Sequence, residues 1–173
     1  LHMQETILIL DFGSQYTQLI ARRIREMQVY CEIHPYNQIP HLTSSIKGVI
    51  LSGSPYSVSD IDHPEIALSL FEGKIPVLGV CYGAQYIASL NNGHVAKSDK
   101  REYGRSFLKL CTESKLFNQV PDLSQVWMSH GDTITSIPDG YTIIAQTEDI
   151  PVAAFENTEK QIFAIQFHPE VTH

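Results

Sequence analysis

The chain has 173 residues, 43% of them hydrophobic, and its 12 basic and 19 acidic side chains give a formal net charge of −7. That length predicts one domain, residues 1–173, with a single core, and the acidic balance argues against a nucleic-acid partner. No apolar run reaches the roughly 18 residues that cross a bilayer, so we expect no membrane partner. The three cysteines fit neither a disulfide framework nor a zinc motif, so we expect no metal and a cytoplasmic location.

Strands alternate with helices in the predicted first half of the chain. Apolar runs predict strands over residues 6–10, 29–33, 48–51 and 75–80, and helical spacing predicts helices over 16–27, 66–71 and 84–90. The uninterrupted run at 6–10 is typical of a strand that is covered on both faces. Because such alternation implies right-handed crossovers, the first half predicts a mainly parallel sheet.

The second half has a different pattern. Short strand-like segments follow one another at residues 107–110, 125–128, 141–146, 151–155 and 162–167, with little helical pattern between them. We therefore expect antiparallel additions to the sheet here. The predicted fold class is one α/β domain with an open, mainly parallel central sheet, flanking helices and antiparallel additions in the C-terminal half.

Cys81 is the strongest candidate for a nucleophile. It directly follows the predicted strand 75–80 and precedes a predicted helix, within the string GVCYG at residues 79–83. A side chain at such a sharp strand-to-helix turn points away from the backbone, and its neighbours must be small. Cys31 and Cys111 lie inside apolar strand patterns, where a cysteine is expected to be a buried core residue.

A cysteine nucleophile that makes and breaks an acyl bond needs a proton shuttle and a group that orients it. His168 ends the apolar run 162–167, and Glu170, two residues further on, can reach back to its imidazole. Taken alone, the string His-Pro-Glu is explained equally well by an exposed turn. Because the strand ends of an open parallel sheet converge on one crevice, Cys81 and His168 are predicted to share a site.

An oxyanion in that site needs two hydrogen-bond donors, which backbone amides supply without reorganisation. The N–H of Tyr82, directly after the nucleophile, is the expected first donor. The loop SGSP at residues 52–55 could supply the second, although the same residues also make an ordinary turn.

Three of these strings, in this order, resemble the class I (triad) glutamine amidotransferases. They are SGSP at 52–55, GVCYGAQ at 79–85 and FHPE at 167–170. The resemblance implies a flavodoxin-like fold and hydrolysis of L-glutamine to glutamate and ammonia. It also implies that Cys81 attacks the substrate carboxamide, that His168 transfers the protons and that Glu170 orients His168.

The resemblance also assigns residues that bind the substrate and the oxyanion. Gln85 matches a position that holds the substrate glutamine, and the segment that binds its amino-acid end is matched by Ser129, His130 and Gly131. The family has two glycines before the proline of the SGSP loop, and the second donates to the oxyanion. Here the second is Ser54, which leaves either Gly53 or Ser54 as the donor beside Tyr82.

Longer strings resemble the branch of the family that supplies ammonia for the ATP-dependent conversion of XMP to GMP. These strings are ILDFGSQYTQLIARR at 9–23, REYG at 101–104, VWMSHGD at 126–132 and EVTH at 170–173. Members of this branch continue into an ATP-pyrophosphatase domain and a dimerisation domain. This chain has no matching pyrophosphate loop, so we expect either an excised domain or a chain whose synthetase part is a separate subunit, and the opening string favours excision. In both cases we expect no cofactor in this chain and a partner domain or subunit that binds XMP, ATP and Mg²⁺.

Three alternatives remain open at this stage. The chain could serve another amidotransferase of the class, for anthranilate, aminodeoxychorismate or carbamoyl phosphate synthesis. It could be an inactive amidotransferase-like domain that only binds partners. It could also be a flavodoxin-like binding module, because residues 13–18 occupy the turn where such folds bind a phosphate. The last alternative leaves Cys81 and His168 unexplained.

Overall fold

A nine-stranded sheet lies at the centre of the computed structural model, which describes residues 4–97 and 102–171. In chain order the elements of this part of the chain are β1 (Thr6–Asp11), α1 (Thr17–Glu26), β2 (Tyr30–Pro35), β3 (Ile46–Leu51), β4 (Val77–Val80), α2 (Tyr82–Ala88), β5 (His94–Ala96), β6 (Glu102–Leu110), β7 (Ser124–His130), β8 (Thr133–Ser136), β9 (Thr142–Gln146), β10 (Ala154–Asn157) and β11 (Ile162–Ile165). Two 3₁₀ turns lie at Leu68–Leu70 and Lys115–Phe117. Residues 101, 172 and 173 of the quoted strings lie outside the described residues.

The strand order is β2-β1-β3-β4-β11-β10-β9-β6-β7. The first five of these strands are parallel, and the remaining pairings are antiparallel. This arrangement confirms the predicted fold class. Strands β5 and β8 pair separately as a small antiparallel sheet, which was not predicted from the sequence.

Several predicted elements were wrong in detail. Strand β11 is not an antiparallel addition, because it pairs in parallel with β4 in the middle of the sheet. The helix predicted over 66–71 is only a 3₁₀ turn, since Ala67 is extended (φ −88°, ψ 98°) and Gly73 adopts a left-handed conformation (φ +71°). Cys111 is exposed rather than buried, because it follows the last residue of β6. Cys31 is buried as expected.

Both faces of the parallel half are covered, as the uninterrupted run at the start of the chain predicted. Leu8 and Leu10 of β1 pack in one cluster with Ile87 of α2. The residue between them, Ile9, packs in a different cluster with Ile20 and other residues of α1. None of the helices within residues 4–97 and 102–171 combines the length and the apolar character that crossing a bilayer requires.

The register of the parallel strands brings four loops to one edge of the sheet. Leu10 pairs with Leu51, Leu51 with Gly79, and Val80 with Ile165. The chain therefore leaves β1, β3, β4 and β11 at the same edge. This is the edge where open parallel sheets form their binding crevices.

Helix α2 approaches the sheet so closely that two positions have no room for a side chain. A Cβ added to Gly83 would lie 2.6 Å from the carbonyl oxygen of Leu51, and one added to Gly79 would lie 2.7 Å from the backbone of Gly83. Both contacts are with backbone atoms, which cannot move aside as a flexible side chain can. The small residues around Cys81 are thus explained by the close packing of α2 on β3 and β4.

We expect Gly83→Ala to lower the free energy of unfolding by about 1–3 kcal/mol, since overpacking outweighs the gain of about 1 kcal/mol that alanine brings to a helix. The matched control is Gly48→Ala in β3, where the only tight contact of the new Cβ would be with the end of the Ile7 side chain at 3.1 Å, the nearest backbone atom being 3.9 Å away. Denaturant unfolding of both variants tests this expectation. A Gly83→Ala variant as stable as the control would contradict the close approach of α2.

Candidate active site

Cys81 occupies the turn between β4 and α2 in a strained conformation. Its φ is 53° and its ψ is −103°, a region that residues with a side chain rarely adopt. Such a conformation costs on the order of 1–3 kcal/mol and persists only when its surroundings impose it. Here the Cys81 N–H donates to the Ile165 carbonyl at 2.8 Å, and the Cys81 carbonyl accepts from the Gln85 N–H at 3.0 Å. The geometry is the strand-to-helix turn that the sequence predicted.

His168 and Glu170 lie beside this cysteine, in the loop that follows β11. The Nδ1 atom of His168 lies 3.1 Å and 3.4 Å from the two carboxylate oxygens of Glu170. Cys81 lies near enough to the imidazole to raise the pKa of His168 together with Glu170. With Nδ1 engaged by Glu170, Nε2 is the ring nitrogen available for proton exchange with the sulfur. All three side chains are buried, with exposed fractions of 6% for Cys81, 4% for His168 and 3% for Glu170.

Opposing effects act on the pKa of His168. Burial lowers this pKa, whereas hydrogen bonds with Cys81 and Glu170 and their negative charges raise it, and together they raise it to about 10. The imidazole therefore carries its proton at neutral pH. The buried His168 imidazolium depends on Cys81 and Glu170, because an unpaired charge in a buried site is strongly unfavourable.

Helix α1 and the turn before it contact the loop that carries His168 and Glu170. The Tyr16 ring packs edge-on against the His168 ring, with the ring centroids 5.0 Å apart. Nε of Arg23 donates to the Glu170 backbone carbonyl at 3.0 Å, and the His168 N–H donates to the Trp127 carbonyl at 2.9 Å. No role was predicted from the sequence for Tyr16 or Arg23, although both lie in the string ILDFGSQYTQLIARR.

A cavity of about 280 Å³ opens above these residues. Its lining comprises Gly13, Ser14, Gln15, Tyr16, Gly53, Ser54, Pro55, Cys81, Tyr103, Ser129 and His168. The volume is near the lower end of the range for small-molecule sites. A larger, mainly apolar cavity of about 480 Å³ also reaches His168, but its lining includes neither Cys81 nor the SGSP loop. The smaller cavity is therefore the candidate active site.

The SGSP loop is fixed against the turn after β1. The Phe12 N–H donates to the Ser52 hydroxyl, and that hydroxyl donates to the Gly53 carbonyl, both at 2.9 Å. A Cβ added to Gly53 would lie 3.5 Å from Cε1 of His168, so this residue adjoins the triad. Ser54 does not have a positive φ, and its backbone therefore accommodates a side chain without strain. The amides of Tyr82 and of Gly53 or Ser54 remain the predicted oxyanion donors.

The predicted substrate-binding residues divide into two sets. Ser129 lines the cavity, and its carbonyl accepts a hydrogen bond from the Cys81 thiol at 3.3 Å. Gln85, His130 and Gly131 are not among the described residues that line it. Nε2 of Gln85 and Nδ1 of His130 instead lie 3.2 Å and 2.9 Å from the Asp132 carbonyl oxygen. Their roles in substrate binding stay predictions.

The sequence pattern of class-I glutamine amidotransferases matches residues 8–173. The chain is 58% identical over 172 residues to the glutamine-hydrolyzing GMP synthase of Cytophaga hutchinsonii and 55% identical to GMP synthase 1 of Bacteroides thetaiotaomicron, covering 99% of this chain and 34% of each relative. The chain belongs to the class-I glutamine amidotransferase family. It spans about a third of the length of these curated relatives.

Solved structures show the same fold. A GMP synthase component from Thermoplasma acidophilum superimposes with a TM-score of 0.83 at 30% identity, over 99% of this chain and 87% of that chain. A glutamine amidotransferase from Thermotoga maritima superimposes with a TM-score of 0.77 at 22% identity, over 98% and 78% of the two chains. The first similarity agrees with the family assignment, and the second concerns the fold alone.

We expect the His168 imidazole to titrate near pH 10, and both Cys81→Ala and Glu170→Gln to lower that midpoint, because each removes a partner that favours the charged ring. Histidine ring signals in NMR spectra recorded across this pH range measure it. Cys31→Ala is the matched control, since it removes a buried thiol in the separate cluster beneath α1. A wild-type midpoint near 6.5 would contradict the predicted charge state.

Proposed function

We propose that this domain hydrolyses L-glutamine to L-glutamate and ammonia through a thioester on Cys81. The observation that carries the proposal is that the buried Cys81 and His168 line one small cavity, with Glu170 behind the imidazole, in a chain of the class-I amidotransferase family. Cysteine with histidine and a carboxylate is the combination that acyl transfer requires. An inactive partner-binding domain would have no need for this arrangement.

In the first half of the reaction, the proton of the Cys81–His168 pair resides on His168. The Cys81 sulfur attacks the side-chain carboxamide carbon, a C–S bond forms, and the electron pair of the C=O bond moves onto oxygen. The amides of Tyr82 and of Gly53 or Ser54 stabilise this oxyanion. When the C=O bond re-forms, the C–N bond breaks and His168 gives its proton to the departing nitrogen, which leaves as ammonia.

In the second half, the neutral His168 removes a proton from water. The hydroxide attacks the thioester carbon, the C–S bond breaks, and glutamate leaves. The sulfur departs with the bonding electrons, and His168 again carries the proton. Glu170 keeps the ring oriented through Nδ1 in both halves, which its 3.1 Å contact supports.

Substrate binding is proposed to involve Gln85 and the backbone of Ser129, His130 and Gly131. The hydrogen bond from Gln85 to the Asp132 carbonyl supports a shared role, because it ties the helix that follows Cys81 to the loop that carries these residues. A reducing cytoplasmic compartment would keep the Cys81 sulfur free of disulfides. No cofactor takes part in these steps.

The ammonia is proposed to serve GMP synthesis. Support comes from the 53–58% identity of this chain to GMP synthases. The matched region covers 99% of this chain and about a third of each of those relatives. The partner would be an ATP-pyrophosphatase domain or subunit that binds XMP, ATP and Mg²⁺ and aminates XMP. These relatives favour GMP synthesis over anthranilate, aminodeoxychorismate or carbamoyl phosphate synthesis.

We expect a glutamine-analogue electrophile, such as a chloroketone, to label Cys81 stoichiometrically, and excess glutamine to protect it. Peptide mapping by mass spectrometry identifies the labelled residue, and Cys31 and Cys111 of the same chain are internal controls. Cys81→Ala should release at least about 10³-fold less glutamate, because the proposed covalent step is lost. Label on Cys111 alone, or glutamate release by Cys81→Ala, would overturn the proposed chemistry.

We expect the isolated domain to hydrolyse glutamine slowly and a GMP synthase ATP-pyrophosphatase domain, with XMP and ATP, to accelerate it, because such sites are commonly completed by partner binding. Glutamate release measured with and without that domain tests this. The synthase partner of an anthranilate-forming amidotransferase is the matched control. Stimulation by the control alone would disprove the role in GMP synthesis and leave the glutaminase chemistry intact.

A further inference from the structure

Gln166 is a buried amide beside the nucleophile that the steps above do not use. It follows β11, and its exposed fraction is 1%. Its Nε2 atom lies 3.6 Å from the Cys81 sulfur. Its backbone N–H donates to the Ala153 carbonyl at 2.8 Å, so the main chain is already anchored without the side chain. The side-chain amide of Gln166 is thus not needed to anchor the backbone and can form a hydrogen bond with the Cys81 sulfur.

The orientation of the Gln166 amide is fixed by its neighbours. The carbonyl oxygen of Asp132 can only accept a hydrogen bond, so the Gln85 atom 3.2 Å from it must be the amide nitrogen. That same nitrogen lies 3.3 Å from Oε1 of Gln166 and donates to it. The remaining end of the Gln166 amide is its NH₂ group, which therefore points at Cys81.

The sulfur has neighbours of opposite hydrogen-bonding character. The Ser129 carbonyl, at 3.3 Å, can only accept, so it pairs with a sulfur that carries its proton. The Gln166 NH₂ group can only donate, so it pairs best with a sulfur that has lost its proton. The titratable group that faces the sulfur is His168, with Glu170 behind it. Asp132 reaches the network only through its backbone carbonyl, which accepts from Gln85, while its carboxylate accepts from the Ser57 hydroxyl.

We propose that Gln166 stabilises and positions the ionised Cys81 sulfur, with Gln85 holding the Gln166 amide in the donating orientation. In the state with the proton on His168, the ionised sulfur no longer donates to the Ser129 carbonyl and keeps the hydrogen bond from Gln166. The inference rests on the proposed glutaminase chemistry. It assigns to Gln166 a role in the acylation step and in the return of the sulfur when the thioester is cleaved.

The test uses Gln166→Met, which keeps the length of the side chain but removes the donor, and Gln166→Glu, which replaces the donor with an acceptor. Both are made in the full chain with Cys111→Ala, because Cys111 is exposed and would react. Gln146→Met on β9, outside the cavity lining, is the matched control. The rate of Cys81 alkylation by iodoacetamide is measured against pH, and kcat and KM are measured for glutamine.

We expect both Gln166 variants to move the midpoint of the alkylation profile to higher pH and to lower kcat about 10- to 100-fold, the factor that loss of a hydrogen bond to a charged group gives. KM should stay within about twofold, and the control should resemble the parent chain. Gln166→Glu is not expected to restore kcat, although glutamate has the same shape as glutamine, because its carboxylate cannot donate a hydrogen bond to the ionised sulfur and repels its negative charge.

An unchanged alkylation midpoint and kcat in folded Gln166→Met would overturn the inference, as would a change confined to KM. If Gln166→Met fails to fold, the same two readouts on Gln166→Glu decide the question. These failures differ from failure of the proposed function, in which the parent chain itself releases no glutamate and Cys81 is not labelled by the glutamine analogue.

Discussion

The strained backbone of Cys81 is the constraint on which the rest of the site depends. A residue with φ 53° and ψ −103° returns to an ordinary conformation unless its surroundings prevent this. The contact between α2 and the strands prevents it, because Gly79 and Gly83 let the helix approach to a distance that admits no Cβ. Burial of side chains such as Tyr82 and Ile87 in the core stabilises that contact. The energy that packs the helix thus holds the sulfur at the edge of the sheet.

Much of the fold was predictable because it is encoded in local strings. The uninterrupted apolar runs and the turns after them predicted the parallel half and the turn at Cys81. The position of β11 was not predictable in the same way, since parallel pairing with β4 depends on contacts more than 80 residues apart in the chain. The pairing of β5 with β8 also joins segments about 40 residues apart, which no local pattern connects. Residues 66–71 have helical spacing, but the extended Ala67 leaves only one 3₁₀ turn.

The site was predictable to the extent that its residues stand at the ends of strands. Cys81 and His168 each follow a buried strand, and the sheet brings these ends together. The contacts of Arg23 and Gln166 were not predictable from spacing, because each joins segments that are far apart in sequence. A signal for Arg23 was present in the long opening string, which resembles the family more specifically than the triad strings do. It had no assigned chemistry until the fold placed it against Glu170.

Electrostatics imposes an order on the proposed reaction. Burial alone would leave His168 neutral, but Cys81 and Glu170 on either side reverse that effect and keep the ring protonated. The acid that ammonia needs in order to leave is therefore present before the first bond forms. Once the sulfur is acylated, its negative charge is gone, one of the two effects that raise the pKa of His168 disappears, and the ring becomes a better base for water. The same three side chains thus favour proton donation before the thioester forms and proton removal after it.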